Sequence, residues 1–449
     1  MGSHFISTHK TFARGVHPPD KKKLSSDAAV EVLPTPKEIR LPLSQHIGAE
    51  AVPVVKSRDE VEPGDLIAKA DAFICAPIHT PIRGVIGPAS SVTLATGKRV
   101  KAVLIKATDE QPLEGQTLYD DVLGGEWPFE KVDQYEPEQI RDAIKSAGIV
   151  GLGGAAFPTF VKLIPNKEKP IDTVLVNACE CEPYLTSDDR LMLESPRSAI
   201  CGAMLAAKAV NAEKVVIAVE DNKPLAIAAL KKAAEGTHVK ICVLQTKYPQ
   251  GGEKQTVKAA LNREIPGGGL PFEIGVVVIN IGTVSAIARA VLRGRPLTHR
   301  IVTVTGEGVV NPKNVLAPIG AAVSELLDFC GGLKENATRV ISGGPMMGFA
   351  MGDLETSITK GSSGITVLTD DETEPISETH CVRCGRCVDG CAMGLIPTRI
   401  ALACRAKNWD LAKRHHIQSC CECGGCAYVC PAGIPLVQLI RMGKRQITD

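Results

Sequence analysis

The sequence predicts a multidomain chain in which α/β and α+β modules precede a cysteine-rich domain. Three observations predict it. Residues 135 to about 295 alternate helix and strand patterns, which argues for a mainly parallel sheet. The stretches 46 to about 125 and 296 to about 370 read as short strands between turn residues. Ten of the sixteen cysteines fall between Cys381 and Cys430. A length of 449 residues suggests about three domains, or four if some are small.

Composition removes several classes of function. Lys and Arg number 51 against 50 Asp and Glu, so no excess of positive charge points to nucleic acid. Aromatics make up 4% and offer few stacking platforms for bases. Met1 to Lys10 lacks the apolar core of a signal peptide, which together with the cysteine usage points to a reducing compartment. The longest apolar run, Ile274 to Ala288, falls short of the roughly 20 residues a membrane span needs. It reads as a buried strand running into a helix, so any contact with a membrane is expected through a partner.

The elements follow in order. Residues 1–45, with Pro18-Pro19, Lys21 to Lys23, Pro34 and Pro36, show no helical or strand period. They read as an extended arm over a neighbouring domain or as a disordered tail. Residues 46–130 carry strand pieces at Val52 to Lys56, Asp65 to Ala68 and Arg83 to Ile86. In 131–295, helical spacing at Gln139 to Ala147, Ala199 to Ala212 and Pro224 to Ala234 alternates with apolar runs. These runs are Thr173 to Val176, Val215 to Val219, Val239 to Leu244 and Gly275 to Asn280. Residues 296–370 add strands at Arg300 to Thr305 and Thr338 to Ser342 around a helix at Ala321 to Phe329. Residues 371–449 hold the cysteines, with helices expected at Pro397 to Lys407, Asp410 to His416 and Pro435 to Arg445.

The cysteines carry the strongest chemical signal. Cys381, Cys384, Cys387 and Cys391 repeat the spacing of Cys420, Cys423, Cys426 and Cys430, C-x2-C-x2-C-x3-C in both cases. That is the spacing of bacterial two-cluster ferredoxins, where the fourth cysteine of each run ligates the other cluster. One [4Fe–4S] cluster is therefore expected on Cys381, Cys384, Cys387 and Cys430, the other on Cys420, Cys423, Cys426 and Cys391. Zinc sites use two cysteine pairs rather than four cysteines in eleven residues twice over. Cys404 and Cys421 read as surplus buried thiols, Cys179 and Cys181 as buried structural thiols, and His415 and His416 as surface residues.

Two further segments are weaker. Gly151-Leu-Gly153-Gly154-Ala-Ala-Phe157 opens a glycine-rich loop, with Lys162 a few residues on. Small residues let a flat ring or a phosphate approach the backbone, but such loops are often plain turns. Asn177-Ala-Cys-Glu180-Cys-Glu182 follows a strand, where α/β proteins bind ligands. A capped turn before a helix near Thr186 explains it equally well.

Taken together, these pieces resemble a family. The order of modules is similar to the RnfC family, the C subunits of the Rnf ion-translocating ferredoxin:NAD oxidoreductases. The likeness runs through Thr11 to Pro19, Leu41 to Gly48, Ala76 to His79, Gly151 to Thr159 and Cys420 to Pro431. The pattern Val61 to Ala68, Ala76-Pro77 and Gly84-Val85 resembles a biotinyl or lipoyl carrier sandwich, yet Lys69 to Phe73 lacks the modified-lysine context, so a structural role is expected. The middle of the chain resembles the NADH-binding flavoprotein subunit of respiratory complex I. The resemblance implies a barrel-sandwich-hybrid module, a Rossmann-like flavin/NADH domain, a β-grasp-like SLBB module and a helical two-[4Fe–4S] ferredoxin domain.

It also implies FMN on Gly151, Gly153, Gly154, Lys162 and Asn177, and NAD(H) near Phe157, Glu180 and Glu182. Glu253, Asn280 and Thr283 match further flavin-side segments. Expected partners are a cluster-bearing ferredoxin-side subunit and the membrane subunits of a complex, with this chain peripheral on the cytoplasmic face of the cell membrane. A corrinoid reductase shares the flavin and cluster parts but lacks an arm like His17-Pro18-Pro19. A pure iron–sulfur relay without a nucleotide site is the other alternative.

Overall fold

In a computed structural model the arm supplies an edge strand to each of three sheets. Residues 5–165, 168–374 and 376–447 are described. Strand β1 (Phe5–Lys10) lies parallel to Val239–Leu244. Strand β2 (Val30–Val32) lies parallel to Lys313–Pro318, and β3 (Glu38–Pro42) pairs antiparallel with Arg99–Ala107. The expectation of a stretch without strand period is corrected here. Glu38-Ile-Arg-Leu41 alternates polar and apolar residues, with Ile39 and Leu41 buried. Strands β1 and β2 are short and borrow their hydrogen bonds from sheets built elsewhere, so their own sequence needs little pattern.

The sandwich module holds β4 (Val52–Pro53), β5 (Glu60–Val61), β6 (Leu66–Lys69), β7 (Ile78–His79), β8 (Gly84–Thr93) and β9 (Arg99–Ala107). One sheet has the order β3-β9-β8-β5, the other β4-β6-β7. Ile39, Leu41, Ile67, Ile78 and Ile105 fill the space between them.

Helix α1 (Gly115–Val122) leaves the sandwich and packs on the α/β domain. Arg293 donates to the carbonyls of Asp120, Asp121 and Gly124, and Trp127 is buried against Cys201 and Ala288. The domain continues through α2 (Pro137–Ser146), α3 (Thr159–Lys162), β10 (Thr173–Ala178), α4 (Ser187–Glu194), α5 (Pro196–Val210), β11 (Lys214–Glu220) and α6 (Pro224–Ala233). Strand β12 (Val239–Leu244), α7 (Glu253–Leu261), β13 (Val276–Asn280) and α8 (Ile281–Arg293) complete it. All neighbours in the sheet β1-β12-β11-β10-β13 are parallel. Val174, Leu175 and Val176 are fully buried, as a strand covered on both faces requires, and so the sequence shows an apolar run without alternation. The chain steps outward from β10 to β11 and β12, then returns to β13 on the other side of β10. That reversal opens a crevice at the carboxyl ends of β10 and β13.

The next module has β14 (His299–Thr305), β15 (Lys313–Pro318), α9 (Val323–Phe329), β16 (Ala337–Ser342), β17 (Phe349–Ala350) and β18 (Gly364–Thr369). Its sheet order is β17-β16-β18-β14-β15-β2. The last domain is helical: α10 (Arg386–Asp389), α11 (Pro397–Arg405), α12 (Trp409–Arg414), α13 (Gly425–Tyr428) and α14 (Leu436–Gln446). Leu436 and Ile440 of α14 enter its core, and Gly443 lets α14 close on the buried Cys404. Cys421 is exposed, which corrects its reading as a buried thiol: it borders two cavities instead of packing into the core. Among the described residues no helix is long and apolar enough to cross a membrane.

Candidate functional site

The crevice at the strand reversal opens into a cleft of about 630 Å³. Its floor is the end of β10 and β13. Asn177 Nδ2 donates to the Gly251 carbonyl at 2.7 Å, and the Gly251 N–H points at Cys181 Sγ at 3.2 Å. These bonds hold the loop before α7 against the acidic turn. Asn280 accepts from the N–H groups of Gly282 and Thr283, capping α8, and donates to Asp188 Oδ2 at 2.7 Å. Glu180 is held in the left-handed region at φ 45°. Its carboxylate accepts from the N–H groups of Asp188 and Asp189 at 2.7 and 3.2 Å, capping α4. The capped turn expected from the sequence and a wall of the cleft are thus the same residues.

The opposite wall comes from the module after the α/β domain. Glu182 Oε1 accepts from Met346 N and Met347 N at 2.7 and 3.0 Å and so anchors the loop Gly343 to Phe349. A Cβ at Gly344 would stand 2.1 Å from Glu182 Cγ, so only glycine permits this approach. Buried Arg300 donates to the carbonyls of Leu152 and Ser362 and ties the glycine loop to that second wall. Burial pushes the Glu182 carboxyl upward. Burial and the neighbouring Glu180 charge raise Asp188 to about 7 and Asp189 to about 6.

Of the residues singled out from the sequence, Gly153, Gly154, Asn177, Glu180, Glu182, Glu253 and Asn280 line this cleft together. Gly151, Phe157, Lys162 and Thr283 stand behind its wall. Lys162 pairs with Glu253 at 3.3 Å, and Thr283 Oγ1 accepts from Leu152 N at 2.9 Å, both supporting the loops in front. Sequence reasoning missed Gly343, Gly344, Phe349, Tyr248, Asp188 and Arg441. The glycine pair in Ser342-Gly-Gly-Pro was the available signal.

The cysteines divide between two cavities. Cys381, Cys384, Cys387 and Cys430 line one, and Cys391, Cys420, Cys423 and Cys426 line the other. Among the described residues no three His, Cys, Asp or Glu side chains converge on one point as a single ion requires. Four thiols spread around a hollow suit a cluster several atoms wide. The two loops repeat one backbone path. Arg383, Gly385 and Gly394 have φ of 58°, 80° and 68°, and Glu422, Gly424 and Gly433 have 56°, 80° and 60°. Cys421 and Cys423 line both the inner cavity and the cleft. Tyr248, 1% exposed, bridges them: its hydroxyl lies 2.6 Å from the Cys423 carbonyl and 3.3 Å from Glu182 Oε2.

The chain is 42% identical to the C subunit of the proton-translocating ferredoxin:NAD(+) oxidoreductase complex of Clostridium ljungdahlii, over 91% of this chain and 87% of that one. It is 38% identical to the C subunit of the Na(+)-translocating complex of Acetobacterium woodii, over 98% and 97%. The C subunit of the ion-translocating oxidoreductase complex of Rhodobacter capsulatus is 41% identical over 97% and 83%. The chain belongs to the RnfC family. Family models match this RnfC-type chain module by module: an RnfC barrel sandwich hybrid domain at 10–110 and a Nuo51 FMN-binding domain at 144–289. An SLBB domain follows at 301–350 and a 4Fe-4S dicluster domain at 380–435. The RnfC modules therefore coincide with the sandwich, the cleft-bearing α/β domain, the sheet of the opposite wall and the helical cysteine domain.

Proposed function

We propose that this chain transfers electrons between NAD(H) and two [4Fe–4S] clusters through FMN, as one component of a membrane-bound ion-translocating ferredoxin:NAD+ oxidoreductase. The observation that carries the reading is the shared wall: Cys421 and Cys423 border both the cleft and the inner cysteine cavity. Bound FMN supplies exchange between the paired electrons of a hydride and the single electrons that iron–sulfur clusters carry.

The chain's own residues bind, orient and exclude water. Gly154 leaves room for a flat ring, with nothing within 4 Å of its missing Cβ, whereas Gly153 lies close against Asn280, which stands 3.3 Å from its missing Cβ. Asn177 and Asn280 fix the loops that border the cleft, and the first turns of α7 and α8 favour anionic groups there. Gly151, Lys162 and Thr283 support these loops from behind. Glu180, Glu182 and Asp188 form an acidic wall beside the nicotinamide nucleotide, with Phe157 buttressing the glycine loop. Cys391, Cys420, Cys423 and Cys426 hold the cluster nearer the cleft, and Cys381, Cys384, Cys387 and Cys430 the outer one. In this reading the chain sits on the cytoplasmic face of the membrane beside the membrane subunits and a ferredoxin-side subunit.

The test is anaerobic purification, quantification of flavin and iron, and addition of NADH. We expect one FMN and about eight iron atoms per chain, with the visible spectrum bleached by NADH. Full iron content with no flavin after incubation with FMN, and no bleaching, would leave a plain electron relay.

A further inference from the structure

The electron path above leaves one product unplaced. Oxidation of NADH yields NAD+, two electrons and one proton. The two clusters take one electron each and no proton. For each NADH one proton must therefore leave the cleft, and in the opposite direction one must enter. A nucleotide seated in the cleft stands in its mouth.

Beside the cleft lies a smaller cavity of about 60 Å³, and Leu152, Ser187 and Asp188 line both spaces. Ser285, Arg289 and His299 add polar groups to it, and exposed Arg295 stands at its edge. That volume takes a few waters, and these side chains offer them partners.

Asp188 is the partition between the two spaces. Its Oδ2 accepts from Asn280 on the cleft floor at 2.7 Å. Its Oδ1 lies toward Gly282 of the small cavity, where a Cβ would stand 3.6 Å from it and 3.7 Å from Arg300 Nη1. The Glu180 charge raises this carboxyl, while Arg300, Lys223 and the Asn280 hydrogen bond lower it. Burial outweighs these and holds it at about 7, where a carboxyl both takes and gives up a proton readily. Across the small cavity Arg289 and Arg295 are paired with Asp121, and burial keeps His299 uncharged by pushing its pKa down to about 3.

We propose that Asp188 passes this proton between the cleft and solvent through water in the cavity beside it. The carboxylate gains the proton from the cleft and gives it to a cavity water, so the protein ends the turnover unchanged. In the opposite direction the same steps run in reverse. The proposal rests on the electron-transfer reading above.

The test uses the full chain carrying FMN and clusters, and two variants. Asp188→Asn removes the exchanging group, and Ala286→Leu fills the small cavity while leaving Asp188 in place. NADH is mixed with each chain in weak buffer containing a pH indicator, and proton release is followed beside the visible bleaching. In the parent, release should keep pace with reduction of the iron. In both variants it should lag about tenfold. Infrared spectra of the oxidised chain, taken without NADH, should show a carboxyl C=O band that fades as pH is raised through about 7 and is missing from Asp188→Asn. No bleaching in the parent overturns the electron-transfer reading. Bleaching intact with parental proton release in either variant, or a parent without the infrared band, overturns the proton route alone. If Asp188→Asn fails to retain flavin, Ala286→Leu and the infrared band decide.

Discussion

At the scale of residues, Tyr248 is one contact between the cleft and the iron side. Its hydroxyl meets Glu182, which anchors the far wall, and the carbonyl of Cys423. Tyr248→Phe removes both contacts and leaves a buried carboxylate with one partner fewer, at a cost of about 1–3 kcal/mol. NADH should bleach the flavin of this variant at the parental rate. Reduction of the iron should slow several-fold, and the electron paramagnetic resonance of the inner cluster should change. Stopped-flow traces at flavin and iron wavelengths check this, and parental iron kinetics with an unaltered resonance would exclude the role. The residue was not legible in the sequence. Tyr248 precedes Pro249 and Gly251-Gly252, and only the glycines carry a local signal. What makes the tyrosine special is a partner 175 residues further along. Glu180 shows the opposite case, since an acidic turn before a helix was read both as a cap and as a ligand wall, and its geometry serves both.

At the scale of elements, the crossing of α5 and α8 positions the floor of the cleft. Gly202 permits it: a Cβ there would lie 1.7 Å from the Val284 carbonyl. Gly202→Ala forces α8 away from α5 and costs about 1–3 kcal/mol, with more if the backbone cannot yield. Because Asn280 caps α8 and lines the cleft, the same displacement should loosen FMN retention. A lowered melting temperature and a reduced flavin content after gel filtration are the expected readouts; a variant as stable as the parent would show that the helices separate freely. The buried strands β10 to β13 and the long helices were legible because apolar runs and 3.6-residue spacing belong to the elements themselves. Strands β1 and β2 were not, because their pairing depends on sheets hundreds of residues away. The repeat of the two cysteine loops was legible in their shared spacing, whereas the left-handed turns at Arg383 and Glu422 were not, since neither residue type marks a positive φ.

At the scale of the whole molecule, one lysine joins three modules. Lys360 is fully buried, and its Nζ donates to Pro77 O in the sandwich at 2.6 Å and to Gly148 O in the α/β domain at 2.7 Å. Burial pushes its pKa down to about 7. An unfolded lysine titrates at about 10.4, so between about 7 and 10 the folded chain binds fewer protons than the unfolded one. The contribution of this group to stability therefore rises with pH across that window and is smallest below it. Lys360→Met removes the titration. Melting temperatures at pH 7 and pH 9 should differ less in the variant than in the parent, and an equal difference would show that the group keeps an ordinary pKa. The order of modules was legible, each carrying its own pattern. How they join was not, because Lys360, Arg300 and Tyr248 each act on backbone atoms that no motif marks.

The arm described at the outset also bears on how the chain is made. Strand β1 waits for β12, β2 for β15, and Val16 packs near Gly390 and Gly425 between the two cysteine loops. A chain emerging from the ribosome presents its first residues long before any of these partners exist. The arm therefore seats fully only after Gly425 has been synthesised, about four hundred residues later. Its closure over the cysteine domain waits for both cysteine loops, and a chain truncated before the second cysteine run leaves the arm without that anchor, exposed to proteases.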